Sequence, residues 1–529
     1  MNLLRFLFLF PAVLLPAAEL HFSIRSDPRT LDPLQVSDQS SEAVRYLTTA
    51  RLARLHPKSG RVEPELAASW SVRDGNRTLA FRLRRGVRFS DGSALTVRDV
   101  TQTVQALLDP ARKLTAGEEI RSLGIESVST PNNETVEIRF RQPVASPERF
   151  FTEFPIVAAS SGTKQPPVLG PFVLEEYQRG TRLRFRRNPY YLKSTVEGQR
   201  LPRLDSVVLE ILATPELERA AWHSGRIHLL ESVDAALFDE LTSSGAARNN
   251  GASPEAEVLW FNLNPDAPIS PAKQRWFQNR LFRQAVSGLI RREDLVRIAF
   301  RSRATPASGP FAEGSAWLRP SRVQARPDGA AILRSLEAAG FHRDRSGALR
   351  DAQGEAVAFS IATNASNRSR MQMLTLIQAD LARAGIAVTI AALDMPSLLE
   401  RMSKSKQYDA ILLGPIGVDD DPNHQMNIWL SSSVNHPWRP SQTAPATSWE
   451  REIDELLRSQ FRATSQQARR KLLWRLQEII EDERPLIYLV RPHVLSAASP
   501  LLRYLDPSVG RPRLFWNIDV LDVATSGGR

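Results

Sequence analysis

The sequence contains no cysteine. Disulfides, thiolate metal sites, iron–sulfur clusters and cysteine nucleophiles are therefore excluded as sources of stability or chemistry. The eight histidines are scattered, and none shows a paired ligand spacing such as H-E-x-x-H. No G-x-S-x-G or G-x-x-x-x-G-K string occurs, although a triad assembled from distant residues leaves no such string. After residue 18 no apolar run approaches the roughly 18 residues needed to span a bilayer. There is no low-complexity tract, no internal repeat and no block of six like charges. The net charge of +11 is carried largely by arginine spread evenly along the chain, which argues against a nucleic-acid footprint. The densest stretch, TRLRFRRN (181–188), alternates Arg182, Arg184 and Arg186 with Leu183 and Phe185. That pattern predicts a strand with one solvated basic face and one apolar face.

What is present is a globular composition, 42% hydrophobic and 24% charged, over 529 residues. This is enough chain for three or four compact units. Residues 1–18, MNLLRFLFLFPAVLLPAA, read as a secretory signal: Arg5, an apolar run at 6–15, then Ala17 and Ala18. Pro11 and Pro16 speak against a buried helix there. Trimming is expected near Ala18, but Pro16 fits the small-x-small rule poorly as the −3 residue of a cut after Ala18, so the exact site stays open. With no cysteine to carry a lipid, the expectation is an exported, unanchored, periplasmic protein.

Strand patterns fall at 20–25, 79–84, 135–140, 172–177, 206–212 and 227–231. Thr96 with Asp99, and Thr214 with Pro215, are helix-start signals. Leu281, Phe282, Ala285, Val286, Leu289 and Ile290 recur at helical spacing. Helix 329–339, strand 356–361, helix 368–384, strand 386–391, helix 396–403 and strand 408–413 then alternate, which predicts a largely parallel sheet with right-handed crossovers. A last strong helix is predicted over 466–483.

Several of these segments resemble the family 5 extracellular solute-binding proteins, the peptide- and nickel-binding class. They are SDPRTLDPL (26–34), PELAASWSVRDGNRTLAFRLRRGVRFSDGSALTVRDV (64–100), GPFVLEEYQRGTRLRFRRNPYY (170–191), LWFNLN (259–264) with NRLFRQAVSGLIRREDLV (279–296), and YDAILLGPIGVDDDP (408–422). They occur in the family's order across the whole chain after the leader. The resemblance implies an α/β fold of two lobes, the type II periplasmic binding protein fold with an extra subdomain. Lobe one would be 19–45, 165–262 and 488–529, the extra subdomain 46–164, and lobe two 263–487. The two hinge crossings would be 258–264 and 485–492. It also implies a receptor of an ABC importer, which captures a peptide or other small ligand between the lobes without catalysis or cofactor. Such a receptor is expected to be a monomer that works with permease subunits and cytoplasmic ATPases. A sensor or chaperone on the same scaffold is the alternative, and a secreted hydrolase a weaker one.

Trp260 and Asn262 share one face of a predicted crossing, so Trp260 is either pocket wall or plain core. Asp419, Asp420 and Asp421 precede Pro422; they face a cationic ligand group or form a solvated turn in which Asp421 caps the next segment. Peptide-binding relatives place an aspartate four residues before that proline to meet the ligand's α-amino group; here the position is Val418, and Pro415 stands where an aromatic is common. The resemblance thus puts ligand contacts at Trp260, Asn262, Gly414, Val418, Asp419, Asp420 and Tyr488, with Asp419 or Asp420 as the replacement clamp or a neutral ligand that needs none. His424 and His436 lack a second pair and predict no metal site. Trp429, Trp438 and Trp449 are expected to pack a long connection onto lobe two, or to form a lid.

Overall fold

The computed structural model describes residues 18–114, 117–159, 166–320, 328–416 and 421–524. Within them a twelve-stranded mixed sheet runs through both lobes. At one end, Ala358–Asn364 pairs in parallel with both Ala387–Leu393 and Ala410–Ile416, the parallel unit expected from the alternation of strand and helix patterns. At the other end, Glu19–Ile24 lies parallel to Ser206–Ile211 and Leu229–Leu230. Arg182–Arg187 extends this end antiparallel to Ser206–Ile211. Leu183 and Phe185 are fully buried, whereas Arg184 pairs with Glu19 at 2.8 Å, so the basic strand face is an ion-paired outer surface.

One strand, Ile487–Ala498, joins the two ends. Residues 487–490 bond to Ala256–Phe261 in lobe two, and residues 493–497 bond to Ala247–Ala252 in lobe one. The partner changes near Pro492, where Ser253 N–H donates to the Pro492 carbonyl at 2.9 Å. The strand partners thus change at 253–255, ahead of the expected 258–264, and at 490–493, at the end of the expected 485–492. The shift has a physical reason. Ala256–Phe261 pairs along its length with Ala410–Ile416 and is held inside lobe two. The ladder breaks instead at Pro254, which has no N–H to give.

The extra subdomain is a four-stranded antiparallel sheet ordered Ala67–Arg73, Thr78–Leu83, Thr135–Phe140, Ile125–Asn132. Helix Val97–Leu108 covers it, and begins where the Asp99 carboxylate accepts the Thr96 N–H at 2.8 Å. Leu79, Phe81, Val100, Val104, Val136 and Ile138 close its core. Lobe two has a core on each sheet face. Phe261, Phe282, Phe359, Leu374 and Ile377 fill one under helices Arg280–Leu289 and Arg368–Arg383. Trp260, Ile411, Trp429, Trp438, Leu457 and Leu476 fill the other under Ser448–Phe461 and Gln466–Glu483. Trp438 lies 5.4 Å from Trp429 and 5.9 Å from Trp449, ring to ring, so the tryptophans pack the connection onto lobe two rather than forming a lid. Among the described residues no helix is long and apolar enough to cross a membrane.

Candidate functional site: the cleft between the lobes

In open parallel sheets, ligands bind beyond the carboxyl ends of the strands. In lobe two those ends are Asn364 and Ile416; antiparallel to them, the strand from Ala256 begins at the crossing. In lobe one the corresponding ends are Ile24, Ile211 and Leu230. Both sets face the crossings, so the cleft lies between them.

The lobe-two edge is organised by a buried ion pair. Glu257, from the strand that leaves the crossing, meets Arg370, from the first turn of helix Arg368–Arg383, at 2.8 and 3.1 Å. Both side chains are 6% exposed. Arg370 also donates to Asn364 Oδ1 at 2.7 Å and to the carbonyl of Gly414. Three strands are thus tied together by one guanidinium whose fork matches carboxylate and carbonyl geometry. Burial pushes the Glu257 carboxyl up, and Arg370 opposes that shift. Gly414 has to be glycine: a Cβ there would lie 2.7 Å from Glu257 Oε2 and 2.8 Å from the Ala256 carbonyl.

Arg491 holds the crossing itself. Its guanidinium donates to the carbonyls of Pro254 and Gly309, the latter at 2.8 Å. On the lobe-one side Glu231 accepts the Arg513 and Leu514 N–H groups at 3.1 and 2.8 Å. Burial raises the Glu231 carboxyl, and these two donors lower it. Burial also raises Glu255, against the neighbouring charges of Arg511 and Arg513. Glu257, Arg491 and Glu231 are thus each met by fixed partners within the protein, which makes the rim rigid. Among the described residues no group of three or more His, Cys, Asp or Glu side chains could hold a metal.

The structure separates the residues singled out in the sequence. Gly414 is at the cleft edge, next to Glu257. Trp260 pairs in register with Ile411, well inside the sheet, and its ring is buried under the helices; the core reading is the one the packing supports. Asn262 lies at the end of the strand remote from the cleft. Its amide donates to the carbonyls of Lys406 and Tyr408 at 2.9 Å, which fastens a turn rather than facing a ligand. The strand direction is the reason: with the crossing at Pro254, residues 260–262 have already run to the far side. Tyr488 pairs with Val258 and is buried in the same core as Trp260, with its phenol pushed up by burial, so it packs the lobe rather than facing a ligand. Val418, Asp419 and Asp420 lie outside the described residues. Asp421 caps helix Pro422–Trp429, accepting the Asn423 N–H at 2.7 Å. His436 is buried, with its ring nitrogens near the Ile428 carbonyl and Glu450. Sequence reasoning missed Glu257 and Arg370. A charged residue inside the apolar string AEVLWF was the available signal, because a buried carboxylate demands a partner.

A two-lobed α/β molecule joined by two crossings, with its fixed polar groups on the facing edges, defines the class of solute-binding proteins that close on a ligand. The chain belongs to the bacterial extracellular solute-binding proteins, family 5, whose model matches residues 61–437; it is a solute-binding receptor. It is 25% identical over 431 residues to a probable ABC transporter-binding protein of Deinococcus radiodurans, covering 74% of this chain and 72% of the relative. It is also 25% identical over 530 residues to the glutathione-binding protein GsiB of Salmonella choleraesuis, covering 95% and 94%. The oligopeptide-binding protein AppA of Bacillus subtilis, solved with a nonapeptide, has the same fold at 20% identity, with a TM-score of 0.71 over 96% of this chain and 99% of that one.

Proposed function

We propose that this protein captures a short peptide or peptide-like ligand outside the cytoplasm and delivers it to the permease subunits of an ABC importer, whose ATPases act inside. The observation that carries the reading is the near full-length likeness to a glutathione-binding protein, taken with a cleft faced by the carboxyl ends of the parallel strands of both lobes. In this reading the protein is an exported, unanchored monomer of the periplasm and performs no catalysis. The ligand lies along Gly414 and the residues that follow it in the sequence. Val418 cannot pair with an ammonium, so Asp419 or Asp420 takes that role, or the ligand is neutral there. A buried ammonium with no partner would cost several kcal/mol, which makes this the deciding contact. Native mass spectrometry of the freshly purified protein tests the reading: a bound mass that fragments as a peptide supports it, and a bound sugar or lipid refutes it.

A further inference from the structure

We infer that the extra subdomain carries an ion-pair latch that holds lobe two closed against lobe one before any ligand is bound. The subdomain is fixed to lobe one: Gly170 N–H donates to the Thr48 carbonyl at 2.9 Å, and Lys58 pairs with Asp506. It also reaches lobe two at a place far in sequence from either crossing. Arg149 Nε lies 2.6 Å from Asp421 Oδ2, and Arg469 from helix Gln466–Glu483 holds the other oxygen at 3.1 Å. Asp421 is 3% exposed and Arg149 17%, so the contact is largely shielded from solvent and salt.

A second contact accompanies it. Phe461, the last residue of helix Ser448–Phe461, packs against the subdomain's own core, 5.9 Å ring to ring from Phe150. Its carbonyl accepts the Ala145 N–H at 2.8 Å. Opening the lobes would expose Phe461, strand the Ala145 N–H and separate Arg149 from Asp421 together. Asp421 would still keep Arg469, so lobe two does not need the latch for its own folding. A contact made only in the closed state shifts the open–closed equilibrium by its full differential energy.

The latch is independent of which ligand the cleft takes, so its test uses ligand-stripped protein. The absence of cysteine allows two spin labels to be placed through Asn133→Cys in the subdomain and Gln467→Cys in lobe two, both exposed positions. Pulsed dipolar distances are then compared for the wild-type background, Arg149→Glu and Arg149→Lys. The expected result is one short distance for the wild type and for Arg149→Lys. Arg149→Glu, which sets a carboxylate against Asp421, should lower the closed-to-open ratio about tenfold or more. Should Arg149→Glu melt early, Arg149→Gln gives the same comparison without the repulsion. Two results would overturn the latch: a ligand-free wild type as broadly open as Arg149→Glu, or a charge-reversed protein with the wild-type distance.

Discussion

Glu257 and Arg370 stand 113 residues apart and form one buried pair at the edge of the cleft. Their contact joins the strand that leaves the crossing to the ends of two parallel strands, through Asn364 and Gly414. The pair is what gives the lobe-two rim its shape. Desolvating two charges is costly, so this arrangement is better understood as fixing geometry than as adding stability.

Removing one partner leaves the other charged and buried. Arg370→Met is expected to destabilise lobe two by about 3–5 kcal/mol. By differential scanning calorimetry this is a fall on the order of 10 °C in the melting of that lobe. Glu257→Leu combined with Arg370→Met should recover much of the loss, because an apolar replacement leaves no orphaned charge. A single variant that melts with the wild type would mean that the pair is not holding the rim.

Gly414→Ala forces a methyl group against Glu257 Oε2 and the Ala256 carbonyl. We expect a loss of about 1–3 kcal/mol from overpacking, with weaker retention of the co-purified ligand. Gly309→Ala is the control, since nothing lies within 4 Å of a Cβ built there. Equal melting temperatures for the two variants would contradict the close approach.

Much of the fold was legible in the sequence because it arises from local chemistry. The helix predicted over 466–483 is Gln466–Glu483, and the one over 368–384 is Arg368–Arg383. Thr214 caps its helix as predicted, accepting the Leu217 N–H. The helix Ser448–Phe461 was missed although Thr447 and Glu450 form a capping box, because the surrounding prolines and tryptophans read as a long connection. The first crossing was misplaced by a few residues, since an apolar strand inside a lobe and one between lobes carry the same pattern. Partners such as Arg370 for Glu257, or Arg149 for Asp421, leave no periodic trace, and only the tertiary fold brings them together.

Acid should weaken lobe two through Glu450. Burial alone would raise this carboxyl, but His436, Gln442 and Trp438 beside it outweigh burial and leave it at about 2, below its ordinary 4.5. Its folded value is depressed, so its contribution is complete above about pH 4.5 and is lost as pH falls towards 2. The full difference is roughly 3 kcal/mol. Melting curves at pH 6, 4 and 3 should converge between wild type and Glu450→Gln as pH falls; a gap that widens in acid would show that other groups dominate.

The most direct test of the receptor assignment is titration calorimetry of the ligand-stripped protein with glutathione and with matched short peptides, free and N-acetylated. Binding near micromolar affinity, about −8 kcal/mol, suffices for capture and still permits release. At least one free peptide is expected to bind; where Asp419 or Asp420 clamps its ammonium, N-acetylation weakens binding at least tenfold and the Asp419→Asn, Asp420→Asn double variant loses the same increment. Heat-silent titrations with every peptide would contradict a peptide receptor. Free peptides bound equally well by the double variant would contradict the ammonium clamp.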